Sequence, residues 1–309
     1  KLITIMKSNT HHIFHSVAEL HSALLLKKPT NPLVSVVRLD DVDTENSKAV
    51  QTIIYNFYTI FLKKNFDGKI KYGQQYYDFD SGTMTFYAPK QLITVQDYQP
   101  SKMEGWMLVV HLDFIQNYPL AKKIKGYGFF SYAANEALHL SEAEEQVIYG
   151  IMKNLQQEIE AIIDSFTQDV VVSHIDLLLN YCNRFYNRQF ITRKKVSDDL
   201  LIKFERLLTQ YFTDEVRSKS GLPSVQYFSE QLFVSANYLN DMLKSLTGQT
   251  TQQHIHNYII DKAKELLSTT NLSVSEIAFE LGFEYSQSFN KLFKNKTQQT
   301  PLEYRQSLN

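Results

Sequence analysis

Two short segments near the C-terminus carry the side chains best suited to recognising a partner. One presents Asn237, Asn240, Asp241 and Lys244, the other Ser286, Gln287, Asn290, Lys291, Lys294 and Lys296. Carboxamides pair bidentately with adenine in a DNA major groove, and a carboxylate can accept from the amino group of cytosine. Lysines more often meet phosphate. We therefore assign Asn237, Asn240, Asp241, Ser286, Gln287 and Asn290 to base edges, and Lys244, Lys291, Lys294 and Lys296 to the phosphate backbone. One exposed amide is usually only solvated, so the weight lies in the clustering on two matched segments.

Catalytic arrangements are thinner. His11, His12 and His15 could cluster if helical, but they are expected to lack a carboxylate or cysteine partner for a metal. The β-rich region offers only His111, and a lone histidine is more often packed or hydrogen-bonded than a ligand. His254 and His256 are two apart, so on a helix they face different ways. No Gly-rich phosphate loop and no G-x-S-x-G element occurs. Neither metal nor cofactor is expected, and we do not read the chain as an enzyme.

What must position the polar side chains is a pattern written twice. "FSEQLFVSANYLNDMLKSLTGQT" is shadowed by "IAFELGFEYSQSFNKLFKNKTQQTP". Phe228 matches Ile277, Leu232 matches Leu281 and Val234 matches Phe283 at an offset of 49; Leu239 matches Phe289, Asn240 matches Asn290, and Leu243, Lys244, Thr247 and Thr250 match Phe293, Lys294, Thr297 and Thr300 at 50. One residue inserted in the second turn accounts for the change, and one tertiary unit built twice accounts for the rest. In the second copy, Ser273 and Glu276 form a capping box, and Gly282 ends a helix of about two turns in the left-handed conformation. A second helix turns Phe289, Leu292 and Phe293 inward, which makes a helix-turn-helix. The first copy has Phe233 where Gly282 stands, so its turn is made without glycine. "TTQQHIHNYIIDKAKELLSTT" opens with a Thr250/Gln253 box and reads as a rigid connector. Held by it on one side of a duplex, the two second helices would enter major grooves about 34 Å apart.

Upstream, from Leu33 to Ile115, short runs rich in Val, Ile, Tyr, Phe and Thr alternate with turn residues and predict an antiparallel barrel or sandwich. After Ser141 the period becomes helical. A Ser141/Glu144 capping box starts a helix whose stripe, Ile148, Ile151, Leu155, Ile159 and Ile162, either packs on its own chain or forms a dimer seam. "VVVSHIDLLLNYCNRFYNRQF" predicts a second helix, and "RQFITRKK" reads as a domain boundary.

"AKELL", "IAFELGF", "FNKLFKNKT" and "TPLEYR" together resemble the AraC/XylS transcriptional regulators over residues 220 to 306. "GTMTFYAPKQ", "GWMLVVH", "FFSYAANEALHLSEAE" and "NRFYNRQFITR" resemble the sensor region of a subgroup of that family. The resemblance implies a two-domain α+β chain: a cupin-like effector-sensing β domain over 1–140, a helical dimerisation and linker region over 141–217, and two helix-turn-helix units over 218–309. It implies double-stranded DNA, a small-molecule effector and a second copy of the chain as partners, with RNA polymerase a further candidate. Tyr76, Phe86 and Trp106 are the aromatic candidates for the effector pocket, with barrel core as the alternative for each. Ile259 stands where the family usually carries a basic residue, and Gln298 where it carries glycine.

Composition sets the frame. At 309 residues with 43% hydrophobic and 21% charged side chains, the chain is ordinary for a folded protein of about two domains. Net charge is −1, and residues 218–309 hold eight basic and eight acidic side chains, so the distribution of charge matters more than its sum. A single cysteine, no leader and no apolar run of bilayer length make the cytoplasm the expected address, with no membrane span. Two rival readings remain: a helix-turn-helix that binds protein instead of DNA, and a cupin-type metalloenzyme.

Overall fold

The computed structural model describes residues 11–42, 52–64, 70–72, 75–77, 82–94, 104–133, 136–192, 194–213 and 221–308. Two compact units, Lys1–Gln189 and Phe190–Asn309, part inside the "RQFITRKK" stretch. The helical region expected over 141–217 is thereby shared between them.

The N-terminal unit runs through β1 (His11–Phe14), α1 (Val17–Ala23), β2 (Val34–Arg38), β3 (Thr52–Tyr55), β4 (Tyr58–Lys64), β5 (Ile70–Tyr72), β6 (Gln75–Tyr77), β7 (Thr83–Tyr87), β8 (Leu92–Thr94), β9 (Glu104–Val110), α2 (Leu112–Ile115), α3 (Leu120–Lys123), β10 (Leu138–His139) and α4 (Glu142–Glu160) into α5 (Thr167–Thr192). Among the described residues these strands make separate sheets in the orders β1-β3-β8, β10-β7-β4-β9-β2 and β5-β6. Among the described residues no closed sheet forms, so of the expected barrel or sandwich the sheets alone are in place, and β1 pairs with β3 in parallel. His11 and His12 lie in that strand, not on a helix, and the carboxylate partner expected to be lacking is present, since Glu19 approaches His12 Nε2 at 3.9 Å.

Register explains why β4, β7 and β9 read as almost unbroken apolar runs. Ile60 lies opposite both Phe86 and Leu108, and Leu62 opposite both Met84 and Trp106, so these share one face. Helices cover that face: Trp106 meets Tyr149 of α4 edge-on, Phe86 lies against Tyr186 of α5, and Cys182 Sγ is 3.8 Å from Met84 Sδ. Met107 and Val109 point the other way, into a core with Phe14, Leu20, Val37, Tyr55 and Phe57. A sheet buried on both faces has no need of polar alternation.

α4 begins with the expected reciprocal box between Ser141 and Glu144. Its stripe is spent inside the unit: Ile148, Ile151, Leu155 and Ile159 are buried within the chain, which removes them as a dimer seam. Ile162, expected to extend the stripe, lies beyond the end of α4 and is 95% exposed. The helix stops at Glu160, and the next residue, Ala161, is extended.

The C-terminal unit contains α6 (Lys194–Thr213), α7 (Val225–Leu232), α8 (Ala236–Thr247), α9 (Thr251–Thr269), α10 (Val274–Glu280), α11 (Ser286–Thr297) and α12 (Pro301–Ser307). Helices α7–α8 and α10–α11 are the two copies, and α9 is the connector. Repetition extends to single hydrogen bonds. Thr247 Oγ1 donates to the Leu243 carbonyl and accepts from Gln249 N–H; Thr297 does the same with Phe293 and Gln299. Capping boxes at Thr250/Gln253 and Thr300/Glu303 open the helix that follows each copy. The buried side of α9 carries Ile255, Ile259, Ile260, Ala263 and Leu267. Ile259 is thus core, and a basic side chain at that position would lose its hydration without a visible partner.

Candidate nucleic-acid interface

Each copy needs two left-handed residues, one in the turn between its helices and one capping its second helix. In the first copy these are Phe233 (φ 57°) and Gly248 (φ 74°); in the second they are Gly282 (φ 88°) and Gln298 (φ 65°). Each copy therefore has one glycine and one strained L-residue, at opposite ends. The turns enter α8 and α11 differently. Ser235 caps α8 by accepting from Tyr238 N–H, whereas Tyr285 opens α11 without a side-chain cap.

The second helices bury one side each: Leu239, Met242 and Leu243 on α8, Phe289 and Phe293 on α11. Asn237, Lys244, Gln287, Lys291, Lys294 and Lys296 are exposed, while Asp241 and Ser286 are half-buried. Charge is unequal. From Ala236 to Thr247 there are Asp241 and Lys244, which cancel; from Ser286 to Thr297 there are Lys291, Lys294 and Lys296 and no acid. A cationic helix face of this kind lowers the cost of approaching a polyanion.

Three of the side chains assigned to DNA are placed otherwise. Asn240 Oδ1 accepts from the N–H of Thr251, the first residue of α9, at 3.3 Å, so this amide serves an orphan donor at a helix start. Its repeat partner Asn290 would serve residue 301, which is Pro301 and has no N–H; Asn290 Oδ1 is buried without a hydrogen-bond partner. Both asparagines are half-buried, and their side-chain oxygens face the protein instead of solvent. Lys296 Nζ donates to Asn257 Oδ1 at 2.9 Å, which holds it against the connector. Asn237, Gln287, Lys244, Lys291 and Lys294 keep the outward placement expected of them.

Several elements beyond the motif support this surface. α6 falls within the helical stretch expected over 141–217, yet Phe204 meets Phe228 and His254 edge-on and Tyr211 meets Tyr227. Tyr211 also donates its hydroxyl to the Gly221 carbonyl at 2.8 Å. Its aromatics were the available clue. Arg305 of the "TPLEYR" motif donates from Nε to the Leu267 carbonyl and ties α12 to the end of α9. His254 meets Thr247 Oγ1 at 2.8 Å, and burial holds its pKa below the usual imidazole range.

In the N-terminal unit, Phe86 lies among Phe129, Phe130 and Tyr186, with a void of about 10 Å³ beside it, the room of roughly one water. Trp106 is buried beneath Tyr149 and Arg38. Both are buried in the core; the side chain of Tyr76 lies outside the described residues. A cleft of about 690 Å³ opens elsewhere, between the end of α1, β2 and the last turn of α4. In its wall, His21 bridges the Lys27 carbonyl and Ser35 Oγ at 2.6 and 2.9 Å. Among the described residues no group of three or more His, Cys, Asp or Glu is placed to hold a metal, and no helix is long and apolar enough to cross a membrane.

A pair of helix-turn-helix units on a shared connector defines a class of DNA-binding domain, and residues 228–307 match the family model described as a helix-turn-helix domain. Similar curated proteins include the HTH-type transcriptional activator RhaS of Escherichia coli, 32% identical over 99 residues, which are 32% of this chain and 33% of RhaS. Histidine kinase P4 of Formosa agariphila is 28% identical over 114 residues, 37% of this chain and 8% of the kinase. Among solved structures, the C-terminal domain of the response regulator yesN from Fusobacterium nucleatum shares 32% identity over 35% of this chain and 98% of that one, with a TM-score of 0.31. Over residues 228–307 the chain is therefore similar to the helix-turn-helix domains of AraC/XylS-type regulators. The matched stretch spans about a third of the length of the RhaS relatives.

Proposed function

We propose that the chain is a transcriptional regulator, not a catalyst, that binds double-stranded DNA in a sequence-specific way through both helix-turn-helix units. The observation that carries this reading is the outward face of α11, where Gln287, Lys291 and Lys294 are exposed on a helix without an acidic residue. Gln287 reads a base edge and the two lysines hold phosphates; on α8 Asn237 and Lys244 do the same with less charge behind them. The cytoplasm is the corresponding location. A second copy of the chain and RNA polymerase accompany this role as partners, with the dimer seam elsewhere than on the α4 stripe. A small-molecule effector is assigned to the N-terminal unit, and the cleft beside His21 has a volume in the range of ligand sites.

Mobility shifts on the chain's own upstream region, repeated at several salt concentrations, test the reading. Gln287→Ala should cost about 1–3 kcal/mol on the specific site and little on random DNA. Lys291→Ala and Lys294→Ala should weaken every sequence and each lower the slope of log K against log salt by about 0.9. Equal losses for Gln287→Ala on both kinds of DNA would remove it from the base contacts. No salt-dependent binding at all would favour a protein-interaction module, the reading that the balanced charge of α8 keeps in play.

A further inference from the structure

Two recognition helices can read a composite site only if their separation is fixed, and a chain of polar side chains crosses from one to the other. Gln249 immediately follows Gly248, the left-handed cap of α8. Its Oε1 accepts from Nδ2 of Asn257, midway along the connector α9, at 2.8 Å. The same amide offers its Oδ1 to Nζ of Lys296, in the last turn of α11, at 2.9 Å. The end of one recognition helix is thus tied to the end of the other through a single carboxamide. Donor and acceptor roles are both used: Asn257 gives to one helix and takes from the other. His256, the neighbouring connector residue, has a pKa lowered by burial and by the Lys296 ammonium, which agrees with that ammonium lying along α9.

We propose that Asn257 is a positioning residue that sets the spacing of the two DNA half-sites, and that Lys296 acts through it and not as a phosphate contact. The inference rests on the DNA-binding reading above and concerns discrimination between spacings more than overall affinity. Buried packing along α9 sets the coarse arrangement of the two units. The Gln249–Asn257–Lys296 chain resists the remaining twist and slide between the helix ends, where a change of one base pair between half-sites would be felt.

The test uses the full chain and duplexes taken from a randomised library by selection, rebuilt with one or two base pairs added or removed between the half-sites. The wild type should show one preferred spacing. Asn257→Leu should reduce its preference over the neighbouring spacing by about fivefold, the worth of one hydrogen bond, while binding to a single half-site stays within about twofold. Asn257→Asp keeps the Lys296 pairing, and a rotated Gln249 amide can donate to it, so this variant should retain the wild-type profile. Lys296→Met should flatten the profile and leave the salt slope unchanged. An unaltered profile in Asn257→Leu, or equal weakening at every spacing, would overturn the proposal, as would loss of about one phosphate's worth of salt slope in Lys296→Met. A measurement without DNA separates this failure from failure of the DNA-binding reading. Spin labels at Asn237→Cys and Gln287→Cys, with the native Cys182 fully buried, should give a narrow distance distribution that broadens in Asn257→Leu. An equally narrow distribution in both proteins would refute the positioning role whether or not any duplex binds.

Discussion

The four left-handed residues of the C-terminal unit should respond to substitution in a fixed order. An L-residue in the left-handed helical region costs about 1–2 kcal/mol, and glycine avoids this at the expense of about 0.4–1 kcal/mol of extra freedom in the unfolded chain. Phe233→Gly should therefore stabilise the unit by about 0.5–1 kcal/mol, since the ring is 74% exposed and gives up little burial. Gln298→Gly should gain a similar amount. The reverse changes are not equivalent to each other. A Cβ on Gly248 would meet nothing within 4 Å, so Gly248→Ala bears conformational strain alone, about 0.5–1 kcal/mol net. A Cβ on Gly282 would lie 2.9 Å from both the carbonyl carbon and the oxygen of Gly221, which are backbone atoms and cannot rotate away. Overpacking adds about 1–3 kcal/mol, so Gly282→Ala should cost about 2–4 kcal/mol in total. Urea unfolding of the full chain checks this by circular dichroism at helical wavelengths. Fluorescence of Trp106, the one tryptophan, reports the N-terminal unit separately and should not move. If Gly248→Ala costs as much as Gly282→Ala, or Phe233→Gly destabilises, backbone conformation and the Gly221 contact are not what governs these turns.

The paired asparagines give a second comparison by the same unfolding assay: Asn240→Ala should lose about 1 kcal/mol by leaving the Thr251 N–H without its acceptor, whereas Asn290→Ala removes an unpartnered buried oxygen and should be neutral or stabilising. Equal losses at the two sites would mean that the missing N–H of Pro301 is irrelevant. Acidification gives a third. His254 is held neutral by burial, so the unfolded chain takes up its proton at higher pH than the folded unit does. The stability that His254 contributes is complete above the ordinary imidazole pKa, about 6.5, and falls as pH drops through the depressed folded value. Denaturation midpoints between pH 7.5 and 5 should decline less in His254→Gln than in the wild type, and parallel profiles would exclude His254 as a source of the decline.

What was legible in the sequence is local chemistry. The Ser141/Glu144, Thr250/Gln253 and Ser273/Glu276 boxes form as expected because each joins side chain and backbone three residues apart, where spacing alone decides the bond. The repeat was legible for a related reason: matched apolar positions must fill matched cores, and the inserted residue falls in the second turn as the change of offset requires. What stayed open depends on partners far along the chain. Sheet closure, the occupation of the α4 stripe by its own unit, and the inclusion of α6 in the C-terminal core are decided by which surfaces meet, and periodicity cannot rank those. Asn240 shows the limit most sharply. It lies on the polar side of α8 by helical spacing, yet its oxygen is claimed by a helix start eleven residues later.

That single bond also accounts for part of the inequality between the copies. In the first, the amide at the repeat position is spent on the connector and Asp241 offsets Lys244, so α8 has little left with which to hold a polyanion. In the second, Pro301 supplies the helix start without an N–H and asks nothing of Asn290, and the outward positions are filled with lysine. Proline at the first helical position and asparagine at the repeat position are each favourable locally, yet together they strand an acceptor. Retaining Asn290 is thus not explained by the bond its counterpart makes. The same fold built twice carries two divisions of labour: the first copy is more fully committed to holding the connector, and the second presents the cationic face, so affinity should depend more on Gln287, Lys291 and Lys294 than on Asn237 and Lys244.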